Sequence, residues 1–200
     1  MKHRELWKRI ADYVGYPLNP TALGRLERYQ AWLREEAVPA GALGSEEAPR
    51  LSRRHIADSL LFADPLMGPV TEVWDLGSGA GLPGIPLAIL LEEAKVVLVE
   101  RSERRLTLLR RVVRILDLGN VEVQNAEIHQ LEGSAPVLVS RAGLPPDKAV
   151  GVVKKLLQPG GMAVWGGSWL QRPSAQGWEV REIPVEILDQ PVWLLIMRHQ

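Results

Sequence analysis

The sequence predicts an α/β fold: a seven-stranded, mostly parallel sheet with helices on both faces, ended by an antiparallel hairpin and preceded by N-terminal helices. Three observations predict it. Apolar runs of strand length alternate with stretches of helical spacing over residues 70–165. Two final apolar runs are joined by a link too short for a parallel crossover. The first third of the chain carries helical spacing alone.

The elements follow in order. Leu6, Ile10 and Val14 lie four apart and share one helix face before Pro17 and Pro20 interrupt it. Thr21 is the expected cap of a second helix, with Leu23, Leu26, Tyr29 and Leu33 at helical spacing. Pro39 to Pro49 reads as a loop, and a third helix starts near Leu51 or Ser52 and runs to Ala63. Val70–Leu76 is a short buried strand leading into glycine-rich sequence. Ile85–Glu93 is helical, and Lys95–Glu100 is a strand of mostly β-branched residues. Ser102–Leu116 is a helix with Ser102 as cap, Gly119 beyond its end, and Leu106, Leu109, Val113 and Leu116 as its buried stripe. Strands at Val121–Gln124 and Val137–Ser140 precede a helix at Asp147–Leu157, stopped by Gln158-Pro159-Gly160-Gly161. Met162–Trp165, Trp178–Pro184 and Pro191–Met197 complete the strands, with little room for a full helix between the last two.

The 200-residue length suits one domain with a small extension. A 46% apolar content is ample for a core. With no Cys, the chain has no disulfide, no Cys nucleophile and no Cys-ligated metal. The four His stand at 3, 55, 129 and 199, without ligand spacing, so no metal site is expected. No apolar run follows the charges of Met1 to Leu6, and the longest apolar stretch, Val192 to Met197, is far short of the ~20 residues that span a bilayer. The expected location is cytoplasmic, with no membrane partner. Lys plus Arg equals Asp plus Glu at 24 each, which speaks against a polyanion-coating protein. The neutrality is uneven, however: residues 61–100 carry −5 and residues 101–120 carry +4.

The strongest local signal is the turn from Asp75 to Gly84, DLGSGAGLPG, between a strand and a helix. Glycines there let the backbone approach a ligand, and the helix start offers free N–H donors. Gly79-x-Gly81-x-x-Gly84 fits the dinucleotide fingerprint, whereas Asp75-x-Gly77-x-Gly79-x-Gly81 fits the S-adenosylmethionine (SAM) methyltransferase motif. Asp75 would repel a pyrophosphate and attract the ammonium and sulfonium of SAM. Glu100, ending the next strand, suits the ribose of either ligand. The terminal antiparallel hairpin favours the methyltransferase arrangement by analogy of fold.

His55-Ile-Ala-Asp58-Ser59-Leu60, then Trp74 through Ala88, then Glu100-Arg101-Ser102, Ala126-Glu127 and Ser140-Arg141-Ala142 together resemble the RsmG (GidB) family over about residues 50 to 167. The resemblance implies a class I, Rossmann-like SAM-dependent methyltransferase acting on a guanine N7 of 16S ribosomal RNA in the small subunit. It divides the chain into a helical extension over 1–66, packed on the core, and a SAM-binding domain over 67–200. Carried over, Asp75, Gly77, Ser78, Gly79, Gly81 and Leu82 would meet the cofactor's methionine end. Glu100 and Arg101 would serve the ribose, and Ala126 and Glu127 the adenine edge. Arg141 would stand beside the transferring methyl as the catalytic residue. His55, Asp58, Ser59 and Trp165 would line the substrate side. The implied protein works as a monomer.

The chain departs from the family pattern at three places on that side. No WN…NLT segment precedes His55, Asn125 replaces an Arg, and Trp165-Gly166-Gly167 replaces Lys-Gly. A SAM-dependent methyltransferase of another substrate, or a SAM-binding paralogue without rRNA methylation, is the alternative these departures leave open. Guanine N7 carries a lone pair and no proton, so its methylation needs positioning and electrostatics rather than a general base. Part of the arginine face of 101–114, with Lys2, Lys8, Arg50, Arg53 and Arg54, forms the expected phosphate-binding surface.

Overall fold

The computed structural model describes residues 3–66, 68–166 and 172–199. Its centre is a seven-stranded sheet made of β1 Glu72–Leu76, β2 Lys95–Glu100, β3 Val121–Asn125, β4 Ala135–Ser140, β5 Leu157–Gly166, β6 Glu179–Ile183 and β7 Val192–Arg198. The order is β3-β2-β1-β4-β5-β7-β6. The first five strands run parallel, and β7 inserts antiparallel between β5 and β6. This is the expected α/β sheet with its terminal hairpin. Val96 to Glu100 are all buried, as befits a central strand covered on both faces.

The N-terminal helices α1 (His3–Tyr13) and α2 (Pro20–Trp32) join the same apolar core as the sheet, with Trp7, Ile10, Leu26 and Tyr29 fully buried. Pro20 takes the first helical position of α2, and Asn19 caps it by accepting the Ala22 N–H at 2.8 Å. Thr21 is therefore inside the helix and not its cap. Loop 39–49 holds a 3-10 turn, Ser45–Arg50, that leads into a π-helical segment Leu51–Ala57, a short α3 (Asp58–Leu60) and a last 3-10 turn Leu61–Ala63.

Three helices follow: α4 (Gly84–Leu90), α5 (Glu103–Ile115) and α6 (Pro146–Leu156). Ser102 stands at the cap of α5, but its side chain makes no capping bond, and the chain leaves the helix through Asp117 at φ 52°, not through Gly119. The buried stripe of α5 uses Val112 in place of Val113. The expected stop at 158–161 is instead the start of β5. Gly160 and Gly161 pair with His199, and Pro159 falls where the β4–β5 register shifts. A single turn, α7 (Val185–Leu188), fits in the link between β6 and β7.

Going outward from β1, the chain visits β2 and β3 on one side and β4 and β5 on the other. The crevice above the carboxyl ends of β1, β2 and β4 is thus the switch point where such sheets bind ligands.

Candidate functional site

A cleft of about 450 Å³ opens at that crevice. Its floor is Gly77 to Ala80 after β1, its sides are Glu100, Arg101 and 126–129 after β2 and β3, and Arg141 to Leu144 after β4. Ala42 and Leu43 of the N-terminal segment reach over it.

The floor is fixed from below. The N–H groups of Gly77 and Ser78 both donate to Val99 O at 3.0 Å, and Ser78 Oγ donates to Asp75 O at 2.9 Å. Gly77 has φ +79°, and a Cβ there would lie 2.6 Å from Gly143 Cα. The loops after β1 and β4 therefore touch backbone to backbone, a contact only two glycines allow. Ser140 Oγ reinforces it by donating to Leu76 O at 2.7 Å and accepting the Gly143 N–H at 3.2 Å.

Glu100 is 5% exposed. Its Oε1 accepts the N–H groups of Arg101 and Ser102 at 2.8 and 2.9 Å, and its Oε2 accepts the Gly79 N–H at 3.1 Å. It thus presents a fixed acceptor to the cleft. Arg105 lies 3.6 Å away. Arg101 reaches Glu127 at 2.9 Å across the mouth, and the Ala126 N–H donates to Glu100 O at 3.1 Å. Ser78 and Leu82 line the cleft as expected, and the Leu82–Pro83 peptide is cis.

Four site expectations are corrected by burial. Asp75 does not line the cleft. It is wholly buried beneath the loop, where Oδ2 accepts the Gly84 N–H at 3.0 Å and Oδ1 has no partner among the described residues. Burial pushes its carboxyl up to about 7, against the hydrogen bond from the Gly84 N–H. Gly81 also points inward, hemmed by Ile85, the Tyr29 hydroxyl and Leu109. Ser59 is fully buried and lines neither the cleft nor the cavity that His55 and Asp58 border. Trp165 is 1% exposed, packs at 5.3 Å on Trp178, and donates to Leu144 O at 2.9 Å. Its ring is core, so it offers no face to a base, and its indole N–H instead holds a wall of the cleft.

Arg141 behaves otherwise. It lines the cleft and also a second cavity of about 300 Å³, which it shares with Ala142, His55, Asp58 and Glu47. Arg141 Nη1 donates to His55 Nδ1 at 2.9 Å, and lies 3.4 Å from Arg54 O and 4.0 Å from Asp58. His55 Nε2 meets Glu47 Oε2 at 2.9 Å. An arginine can only donate, so Nδ1 is the acceptor and Nε2–H donates to Glu47. Burial and the Arg141 charge push the imidazole down to about 4, against Glu47, so His55 is neutral at pH 7.

The sequence pointed to His55, Asp58 and Arg141, and all three line one cavity. It missed Glu47, Ala42, Leu43 and Leu144, because loop 39–49 has no periodicity to report a contact. It also missed that the buried Tyr29 hydroxyl donates to Ala80 O at 2.8 Å and so braces the floor from α2. Asn125, at the family's Arg position, is tied to Glu103 at 2.6 Å. Gly167 and Lys2 lie outside the described residues. The arginines of α5 are divided: Arg101, Arg105 and Arg111 pair with Glu127, Glu100 and Glu36, while Arg101, Arg104 and Arg105 border a shallow cavity of about 320 Å³ beside the cleft. Among the described residues, no group of three or more His, Asp or Glu is placed to hold a metal ion, and no helix is long and apolar enough to cross a membrane.

Comparison with known proteins gives a consistent result. The model of the family described as "GidB: rRNA small subunit methyltransferase G" matches residues 22–170. A ribosomal RNA small subunit methyltransferase G of Acidothermus cellulolyticus is 42% identical over 135 residues, covering 68% of this chain and 60% of its own length. One from Mycobacterium leprae is 43% identical over 140 residues, covering 68% and 56%. The chain thus spans about 60% of the length of the curated relatives it matches. Among solved structures, a ribosomal protein L11 methylase from Lactobacillus delbrueckii subsp. bulgaricus has a TM-score of 0.57 at 18% identity, covering 74% of this chain and 79% of that one. A precorrin-6y C5,15-methyltransferase from Geobacter metallireducens has 0.54 at 14%, covering 72% and 88%. Both show the fold, a class I methyltransferase sheet.

Proposed function

This chain belongs to the GidB family, and from that premise we propose that it transfers a methyl group from SAM to guanine N7 in the 16S RNA of the small ribosomal subunit. The observation that carries the cofactor half is the floor itself. Gly79 faces open space, with nothing nearer a built Cβ than Gly77 O at 3.9 Å, and it stands beside the fixed Glu100 carboxylate. That is the cradle a nucleoside-linked amino acid needs. Gly77, Ser78, Gly79 and Leu82 would hold its methionine end, Glu100 and Arg101 its ribose, Ala126 and Glu127 its adenine. Asp75 and Gly81 act one layer below, by shaping the loop. A nicotinamide dinucleotide is the competing ligand. With Asp75 buried, repulsion of a pyrophosphate no longer decides between them; the antiparallel β7 between β5 and β6 does.

Bound SAM supplies an activated methyl for in-line displacement. The chain's part is placement. Arg141, at the wall between the two cavities, is held by His55 as a fixed guanidinium donor that orients the substrate; the charge passing to the base is positive, so its part is positioning and not neutralisation of that charge. No proton leaves N7, and the neutral, doubly bonded His55 serves as a strut rather than a base. His55 and Asp58 line the substrate side, while Ser59 and Trp165 support it from the core. The helical extension 1–66 contributes the strut and the Tyr29 brace to the domain 67–200. An rRNA substrate supports a cytoplasmic location. The missing basic residues at 125 and 165 favour a second reading, methylation of another substrate by the same site.

Calorimetry with SAM and with NAD tests the cofactor: micromolar SAM binding is expected, and tight NAD binding without SAM binding would overturn the proposal. Labelled SAM incubated with small subunits lacking this modification tests the substrate. Label in the rRNA at a guanine is expected; no label with SAM binding intact leaves the second reading.

A further inference from the structure

The second cavity has a chemistry that methyl transfer does not itself require. On the side of Arg141 away from the cleft floor it is bounded by Glu47, with Ala142, Trp193 and Leu194 as apolar walls. The site is built, not incidental. Glu47 comes from the 3-10 turn in a loop, and is held there by His55 at 2.9 Å, Arg50 at 3.6 Å and Arg54 at 3.9 Å. Its side chain is only 18% exposed. Burial alone would raise its carboxyl, but the His55 hydrogen bond and the charges of Arg54 and Arg50 outweigh that and hold it below its ordinary range. An ionised acceptor is therefore kept in a half-enclosed, partly apolar recess one imidazole away from Arg141.

Among the four RNA bases, guanine alone offers two adjacent donors on its Watson–Crick edge, N1–H and the 2-amino group, and a carboxylate offers two matching acceptors. Adenine would set its N1 lone pair against the carboxylate. The Watson–Crick edge also lies on the side of the purine opposite N7. A base splayed from the RNA and seated with this edge on Glu47 turns N7 back toward the cleft, past Arg141, with its lone pair left for the methyl. We propose that the second cavity is the acceptor-base pocket and that Glu47 is its specificity residue, accepting the N1–H and 2-amino group of guanine. This rests on the rRNA reading above. Glu47 then has two tasks: it polarises the His55 strut behind Arg141, and it selects the base.

The two tasks separate in a double-mutant cycle. The acceptor position is first mapped with wild-type protein, and two RNA fragments are made, carrying guanine or inosine there. Inosine lacks only the 2-amino group. Wild-type kcat/KM should fall about 10- to 100-fold on inosine, the loss of one hydrogen bond to a charged acceptor. Glu47→Gln should lose activity on guanine and discriminate guanine from inosine by less than about threefold. A purely structural Glu47 gives the other result: Glu47→Gln slows both RNAs equally and keeps the wild-type ratio, which overturns the proposal. Equal wild-type rates on the two RNAs overturn it without any variant. SAM affinity of Glu47→Gln should match wild type, and its melting temperature should fall only by the loss of the His55, Arg50 and Arg54 contacts; if the variant does not fold, Glu47→Asp repeats the cycle with the charge retained. Wild-type protein that labels no small-subunit RNA overturns the rRNA reading as well, and so distinguishes the two failures.

Discussion

The two glycines of the floor make opposite demands, and substituting them one at a time separates folding from binding. Gly79→Ala adds a methyl that meets nothing closer than Gly77 O at 3.9 Å, in a backbone at φ +60°. Its cost to the fold is the left-handed conformation alone, about 1–2 kcal/mol. Gly77→Ala incurs the same conformational cost at φ +79° and also drives Cβ to 2.6 Å from Gly143 Cα, a backbone atom tied down through Ser140. Overpacking adds about 1–3 kcal/mol. For a chain of this size each kcal/mol moves the melting temperature by roughly 2–4 °C. Thermal melts should therefore show a small drop for Gly79→Ala and about twice that for Gly77→Ala. Calorimetry with SAM should show the reverse emphasis. The Gly79 methyl occupies ligand volume beside Glu100, and an overpacked contact of about 1–3 kcal/mol weakens affinity about 5- to 150-fold. Gly79→Ala that binds SAM within about twofold of wild type, a difference of about 0.4 kcal/mol, would refute the placement of the ligand on this floor.

Three further outcomes are expected. Glu100→Ala removes the acceptor for three backbone N–H groups, so it should abolish measurable SAM binding by calorimetry; retained affinity would remove Glu100 from the site. Stability against pH, followed by melts from pH 4 to 8, should reflect two opposed groups. His55, pushed down to about 4, leaves the fold at full strength above about pH 6.5 and weakens it as pH falls toward 4, whereas Asp75, pushed up to about 7, favours the fold below about pH 3.8 and weakens it as pH rises through 7. His55→Gln should lose the first slope and Asp75→Asn the second, each worth a few kcal/mol at about 1.4 kcal/mol per unit; unchanged slopes would contradict the burial assigned to these groups. Trp165→Phe keeps the aromatic packing on Trp178 but frees Leu144 O, so it should cost about 1–3 kcal/mol in melts and move SAM affinity little; an affinity loss larger than the stability loss would give Trp165 the ligand role its burial denies.

The sheet was legible because its strands are uniform. Val96–Val99 is apolar and mostly β-branched, so its two-faced burial is written in the residues themselves. The ends of elements were less so. Asn19 won the cap of α2 from Thr21 because Pro20 fits the first helical position, and β5 absorbed Pro159 because the β4–β5 register slips there. Within the site, motif residues on strand ends fell where expected: Glu100 and Arg141 line the cleft. What sequence spacing could not show was depth. Asp75 and Gly81 sit in the same ten-residue motif as Gly79, yet face the other way, and only the packing of α4, α5 and Tyr29 behind the loop decides which is which. Glu47 was invisible for a different reason, since its contact with His55 is made by a turn with no repeat to read.

That difference in depth changes what the acidic motif residue does. An exposed Asp75 would act by charge on a bound cation. The buried one acts by geometry: it accepts the Gly84 N–H at the start of α4, while Ser78 Oγ bonds its carbonyl, so one residue fixes both ends of the turn. Glycine is required at 84 by the same closeness, because a Cβ there would stand 2.6 Å from Asp75 Oδ2. Electrostatic recognition then falls to the groups that do line the cavities: Glu100 and Glu127 around one, Arg141 at the shared wall, Glu47 in the other. On the reading proposed above, carboxylates would stand at the ribose and at the donor edge of the guanine, with the Arg141 guanidinium between them. The zero net charge of the chain is therefore compatible with nucleic-acid chemistry, because the selective charges are paired in sequence through the site rather than spread over a basic surface.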